Sequence, residues 1–155
     1  MTRPAAPDAG VAPHRWPVRV YWEDTDAGGI VYYANYLKFF ERARTEWLRT
    51  LGLQQHALRE ATGGMFVVSA AQVRYQRPAR LDDALCIETR VAELGRASIV
   101  LQQRALRDDG AARATVLCEG SVRIGWVQGP ALQPARIPAA IVQALQPYVE
   151  PVVES

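Results

Sequence analysis

The chain is poor in the residues that carry the commonest active-site chemistries. It has two cysteines, two histidines and a single lysine, Lys38. Cys86 and Cys118 lie far apart in apolar, strand-like runs, and no close-spaced Cys/His pair exists that could hold zinc. Both read as buried free thiols, in keeping with a reducing cytoplasm. His14 falls in a stretch rich in Pro and Ala, and His56 in a polar segment without a matched partner. Both therefore read as surface residues rather than general bases. None of Ser69, Ser98, Ser121 and Ser155 sits in a Gly-x-Ser-x-Gly turn, so a nucleophile-elbow triad is absent. Long apolar runs are lacking as well. The opening MTRPAAPDAGVAPHR does not read as a secretory signal, and no later run is long enough to span a bilayer. The expected location is cytoplasmic. A net charge of +2, from 18 basic and 16 acidic groups, supplies no field that would select nucleic acid.

What the chain does have is enough apolar material for one core. Its 155 residues are 49% apolar and 22% charged, which suits a single globular domain. The expected organisation is a disordered tail over residues 1–15, one domain over 16–147 and a flexible tail over 148–155. Val18, Val20 and Trp22 alternate with Arg19 and Tyr21, which predicts a first strand. Tyr36, Phe40, Ala43, Trp47 and Leu51 then recur at helical spacing, with Leu37, Phe39 and Leu48 widening that face toward a mostly buried helix. Glu41, Arg42, Arg44 and Arg49 take other positions around it, and Gly52 can end it. After a polar, helix-compatible segment broken at Gly63-Gly64, the pattern is β. Strands are predicted over 65–75, 85–93, 97–107 and 112–127, separated by Leu81-Asp82-Asp83, Gly95-Arg96 and Asp108-Asp109-Gly110. A short helix over 138–146 follows, opened by Pro138. The order β-α-β-β-β-β predicts an α+β fold with one long helix on an antiparallel sheet. Its open edges predict an oligomer that pairs sheets edge to edge.

The acidic segment before the long helix is where chemistry is expected. Glu23, Asp24 and Asp26 are followed by Ala27, Gly28 and Gly29, and two glycines allow a tight turn with uncovered amides. A calcium loop starting at Asp24 would need Glu where Asn35 stands. An Asp-x-Asp magnesium phosphatase would need alternating strands and helices downstream, not a meander. A solvated turn, in which Asp24 or Asp26 bonds its own backbone, remains open. The other open reading is carboxylate chemistry on an acyl substrate. Asp26, partly buried, would attack or activate water, and a backbone N–H near Tyr33 would hold the oxyanion with help from the helix dipole.

RWPVRVYWEDTDAGGIVYYANYLKFFERARTEWLRTLG, from Arg15 to Gly52, closely resembles the signature of the hot-dog-fold acyl-CoA thioesterases. More narrowly it is similar to the Tol-Pal-associated, YbgC-like branch of the 4-hydroxybenzoyl-CoA thioesterase family. YQRPARLDDALCIETRV and the closing ARIPAAIV share the likeness, which spans roughly residues 15–146. It implies a hot-dog fold, with a central helix from Tyr32 to Leu51 wrapped by a five-stranded antiparallel sheet. It implies an acyl-CoA thioester hydrolase with Asp26 as the catalytic carboxylate and the Tyr33 backbone N–H as oxyanion donor. Gly28, Gly29, Tyr32 and Arg96 would contact the substrate, Arg96 on the CoA phosphate. No metal is implied, and no cofactor beyond the CoA of the substrate. Active sites would form in a homodimer, with dimers pairing into a homotetramer and with peripheral association to the inner-membrane face or Tol-Pal components. The branch usually has His where this chain has Tyr33, which leaves acyl preference open. A hot-dog hydratase or dehydratase, and a non-catalytic acyl-binding or scaffold protein, are the alternatives.

Overall fold

The computed structural model describes residues 11–149. Along the chain run β1 (His14–Arg19), a 3-10 turn (Trp22–Asp24), α1 (Asn35–Thr50), α2 (Gln55–Thr62), β2 (Gly64–Tyr75), β3 (Ala84–Leu94), β4 (Ser98–Gly110), β5 (Arg113–Gln128), β6 (Gln133–Pro134) and α3 (Ala139–Leu145). The strands form one antiparallel sheet in the order β1-β3-β4-β5-β2, with β6 paired to the end of β5. The sheet is therefore six-stranded rather than five. The addition is a two-residue strand too short for any alternation to announce it.

The first strand corrects the expectation in position. β1 begins at His14, and its register aligns Val18 with Leu85 of β3. Val20 is buried as the alternation predicts, but Trp22 stands 79% exposed in the 3-10 turn. Pro17 does not interrupt the sheet because β1 is its edge among the described residues, where a missing N–H is tolerated. His14, expected in the tail, lies in β1 opposite Thr89. Burial there lowers its pKa, against a smaller pull from Glu46, and leaves Nδ1 without a hydrogen bond. Of the expected tails, residues 1–10 and 150–155 lie outside the described residues. At the other end, Tyr148 packs edge-on against Trp47 with ring centroids 6.3 Å apart, and Val149 bridges to Val91.

Helix α1 lies across the sheet with Tyr36, Phe39, Phe40, Ala43, Trp47 and Leu48 buried. It starts at Asn35, after a turn spanning Tyr33 and Ala34, and not at Tyr32. Its far end closes as a Schellman motif. Gly52 adopts φ +79, its N–H reaches Arg49 O at 3.0 Å, and Leu53 N–H reaches Leu48 O at 2.9 Å. Two expectations about its faces fail. Leu37 is largely exposed, while Arg44 is buried, only 8% accessible.

Arg44 is buried because the sheet gives it an acceptor. Its Nη1 donates to Gln103 Oε1 at 3.0 Å, and Gln103 Nε2 donates to Phe40 O and to Thr89 Oγ1, each at 3.0 Å. Burial lowers the Arg44 pKa, opposed by Glu41. This polar layer lies between two apolar clusters. One holds Tyr36, Phe39, Ala79 and Leu117 near the start of α1; the other holds Trp47, Trp126, Ile141 and Leu145 near its end. Close approach of strand to strand is set by Gly120 of β5, where a Cβ would lie 2.7 Å from the Gln72 carbonyl oxygen and 3.5 Å from the Phe40 ring.

The expectation of two buried thiols holds for Cys118 but not for Cys86, which is half-buried. Desolvation pushes the Cys118 thiol up to about 12. Among the described residues, no helix is long and apolar enough to cross a membrane, and no group of His, Cys, Asp and Glu side chains is placed to hold a metal ion.

Candidate active site

The acidic segment folds into a small ribbon that the sequence pattern did not disclose. Thr25 bridges Val31, and Asp26 N–H donates to Ile30 O at 2.9 Å. At the tip, Gly29 N–H donates to Asp26 O at 3.0 Å, and Gly29 adopts φ +79. That is a tight turn followed by a left-handed residue, a conformation that favours glycine at position 29. The ribbon is fastened on one side to the segment before β3, through Val31 N–H to Ala79 O at 2.8 Å.

The two aspartates are used differently. Asp24 is committed to structure: its Oδ2 accepts Tyr21 N–H at 2.8 Å, and its carbonyl accepts Tyr32 N–H at 3.0 Å and Asn35 Nδ2 at 2.8 Å. Asp26 is half committed. Its Oδ1 accepts Gly28 N–H at 2.8 Å, which fixes the rotation of the carboxylate. Its Oδ2 makes no hydrogen bond to any described residue. Asp26 is exposed on the single chain, so the partial burial expected of it is not found there.

Tyr33 lies on the turn that opens α1. Its carbonyl accepts Tyr36 N–H at 3.3 Å, while its own N–H meets no acceptor among the described residues. Helix starts leave such donors free, on the positive end of the macrodipole. The Tyr32 ring tilts against Tyr33 with centroids 5.0 Å apart, and Gly28 and Gly29 sit exposed at the ribbon tip. Asp26, Gly28, Gly29, Tyr32 and Tyr33 thus share one loop. Arg96 does not join them. It is exposed on the β3–β4 hairpin, whereas the ribbon is fastened beside the start of β3. The eleven residues of β3 separate the two by roughly 35 Å at about 3.3 Å per residue. His56 remains a surface residue, though it has the partner it was expected to lack, with Nε2 3.0 Å from Glu60 Oε1.

Tyr75, at the end of β2, was not singled out from the sequence. Its ring meets Tyr33 edge-on with centroids 5.7 Å apart and lies at the same distance from Tyr36. The only hint was an aromatic residue just ahead of Arg77-Pro78.

The thioesterase-like superfamily model matches residues 20–145. The chain belongs to this superfamily. The YbgC acyl-CoA thioesterase of Haemophilus influenzae is 43% identical over 129 residues, covering 83% of this chain and 91% of that protein. The YbgC acyl-CoA thioester hydrolase of Escherichia coli is 46% identical over 128 residues, covering 83% and 92%. A probable thioesterase from Bartonella henselae superposes with a TM-score of 0.74 at 35% identity, over 82% of this chain and 100% of that one. 4-Hydroxybenzoyl CoA thioesterase from Pseudomonas sp. strain CBS-3 superposes with a TM-score of 0.79 at 21% identity, over 86% and 99%, a likeness of fold. This thioesterase-like chain has the hot-dog fold expected of it, with α1 packed on the antiparallel sheet.

Proposed function

We propose that the protein is an acyl-CoA thioester hydrolase in which Asp26 provides the catalytic carboxylate and the Tyr33 N–H holds the oxyanion. The observation that carries the reading is the division of labour in Asp26. One oxygen is fixed by Gly28 and the other has no partner among the described residues, on the loop that also presents a Tyr33 N–H unused by those residues. The YbgC relatives, acyl-CoA thioesterases by name, support the substrate class.

Two routes are open to the free oxygen. It can attack the thioester carbonyl carbon, sending the carbonyl electrons onto an oxygen facing the Tyr33 N–H. Collapse then expels the CoA thiolate and leaves an acyl-aspartyl anhydride for water to cleave. Alternatively it takes a proton from a water that attacks the same carbon. A thiolate leaves with little acid assistance because a thiol loses its proton near pH 8.5. An oxyanion donor of this kind is worth roughly 10²–10³ in rate.

We infer also that the working unit is a homodimer paired along β2. That strand ends the sheet, so its outer edge is unpaired among the described residues, and it exposes Val68, Ala70 and Ala71. The Tyr75 end of β2 lies near Tyr33, while its Gly64 end pairs with Gln128 beside the hairpin that carries Arg96. Antiparallel pairing about a two-fold axis would bring a second copy's Arg96 end to this chain's Asp26 end. Such pairing would also cover Asp26.

Thiol release from a panel of acyl-CoAs tests the reading. Asp26→Asn should lower kcat about 10²–10⁴-fold with the circular dichroism spectrum unchanged. A folded Asp26→Asn protein with parental turnover would remove Asp26 from the reaction. A second reading, acyl binding without hydrolysis, is favoured by the exposure of Asp26 on the single chain. It predicts acyl-CoA binding with no thiol release by the wild type. Light scattering reports the dimer, and hydrolysis in oxygen-18 water under single turnover separates the two routes.

A further inference from the structure

Asn35 opens α1, next to the position where asparagine is favoured as a helix cap, yet the helix starts with no side-chain cap. The amide is turned the other way. Its Nδ2 donates to the Asp24 carbonyl at 2.8 Å, and only the NH₂ group can face a carbonyl, because the amide oxygen would meet it as a second acceptor. The same carbonyl accepts Tyr32 N–H at 3.0 Å, so both of its lone pairs are used. Among the described residues this is the one hydrogen bond that runs from α1 to residues 24–26, the arm of the ribbon that carries Asp26.

The other contacts of that arm hold the ribbon together without fixing where it sits against the helix. The Thr25–Val31 bridge and the bond from Asp26 N–H to Ile30 O join it to the returning arm, and Asp24 N–H joins it to Tyr21 O in the 3-10 turn. The returning arm leans on Ala79, on the side of the sheet. Tyr33 is placed independently of the Asn35 side chain. Its carbonyl accepts Tyr36 N–H, and the neighbouring Tyr32 carbonyl accepts Asn35 N–H at 2.8 Å, so backbone bonds at the head of α1 set its position.

We propose that Asn35 is a positioning residue: by tying the Asp26 arm to the head of α1 it sets the spacing between the Asp26 carboxylate and the Tyr33 N–H. The inference rests on the thioester-hydrolase reading above. The carboxylate, attacking directly or through water, and the oxyanion donor address one carbonyl group, so an error of about 1 Å between them costs about 10²-fold in rate. Asparagine suits the task because it donates to a carbonyl without placing a charge beside the reacting groups.

The test measures thiol release by the full-length protein from butyryl-, palmitoyl- and benzoyl-CoA. Asn35→Asp keeps the shape, turns the donor into an acceptor against the Asp24 carbonyl, and puts a carboxylate where the helix dipole favours one. Turnover and stability should therefore part: kcat falls about 10²-fold, while Tm stays within about 4 °C of the parent. KM should change by less than about threefold, since the role is exerted through Asp26. Asn35→Ala removes the donor without adding charge, should show the same fall in kcat, and serves if the aspartate variant does not fold. In an Asp26→Asn background either substitution should lower the residual rate by less than about threefold, because no carboxylate is left to place; a residue that only supports the fold would act equally in both backgrounds. Parental kcat in folded Asn35→Ala, an effect confined to KM, or equal losses in the two backgrounds overturns the positioning role and leaves hydrolysis through Asp26 standing. No thiol release by folded wild type, or parental turnover in Asp26→Asn, overturns both.

Discussion

Replacing Gln103 by Met should be among the more damaging single changes in the core, although it nearly preserves volume. Gln103 is 0% exposed and is the only hydrogen-bond acceptor of the Arg44 guanidinium among the described residues. The substitution removes a charge-assisted bond worth about 1.5–3 kcal/mol and two neutral ones worth about 1 kcal/mol each. It also leaves a buried cation without its acceptor. Partial relaxation of Arg44 toward solvent returns some of that, so the expected loss is about 3–5 kcal/mol. Urea unfolding at fixed protein concentration, followed by tryptophan fluorescence and circular dichroism, measures it. Adding Arg44→Met should restore about 1–2 kcal/mol relative to Gln103→Met alone, because the stranded charge is gone. Since α1 carries Tyr33 at its head, turnover should fall with stability in the single variant. A Gln103→Met protein within about 1 kcal/mol of the parent, or a double variant as unstable as the two singles summed, would refute the account of the layer.

Four further outcomes follow from particular positions. Gly29→Ala must hold a left-handed backbone and should cost about 1 kcal/mol while lowering thioester turnover more than it lowers Tm, read by paired kinetics and thermal scans. Gly120→Ala places a methyl 2.7 Å from the Gln72 carbonyl oxygen and should destabilise by about 1–3 kcal/mol in the same unfolding assay. Burial holds His14 below its ordinary 6.5, so the unfolded chain binds the proton first and stability should decline as pH falls from about 6.5; urea midpoints across pH for wild type and His14→Phe show whether that slope disappears. Cys118 keeps its proton in the folded state up to about 12 against an ordinary 9.0, so its contribution to stability is lost as pH rises through that window, and a thiol reagent at pH 8 should label it only after unfolding.

The sequence disclosed what periodicity encodes. The apolar spacing from Tyr36 to Leu48 specified the helix, and Gly52 its end, because a left-handed residue stops a helix wherever it occurs. The strands from Gly64 to Gln128 followed their alternation to within a few residues. What periodicity could not carry was pairing. His14 looked like tail because Pro and Ala surround it, and only the free edge of β3 makes a strand of it. Arg44 was expected off the buried face because it is charged, and it is buried because Gln103 lies opposite to accept its hydrogen bond. Leu117 is buried at a bulge, where Ala105 pairs with Cys118 but Leu106 pairs with Val116, and the skipped residue turns inward out of phase. At the site, Asp26 and Tyr33 stood out from motif and helix position. Tyr75 did not, since its partners are brought to it by the sheet.

The polar stripe from Arg44 through Gln103 to Thr89 works as a bulkhead. On one side of it lie Tyr36, Phe39 and Leu117 near the start of α1; on the other, Trp47, Trp126, Ile141 and Leu145 clamp the helix to the sheet. Repacking forward of the bulkhead need not propagate aft. A lineage, or an engineer, could therefore repack the side chains around Tyr36 while the stern of the molecule keeps it afloat.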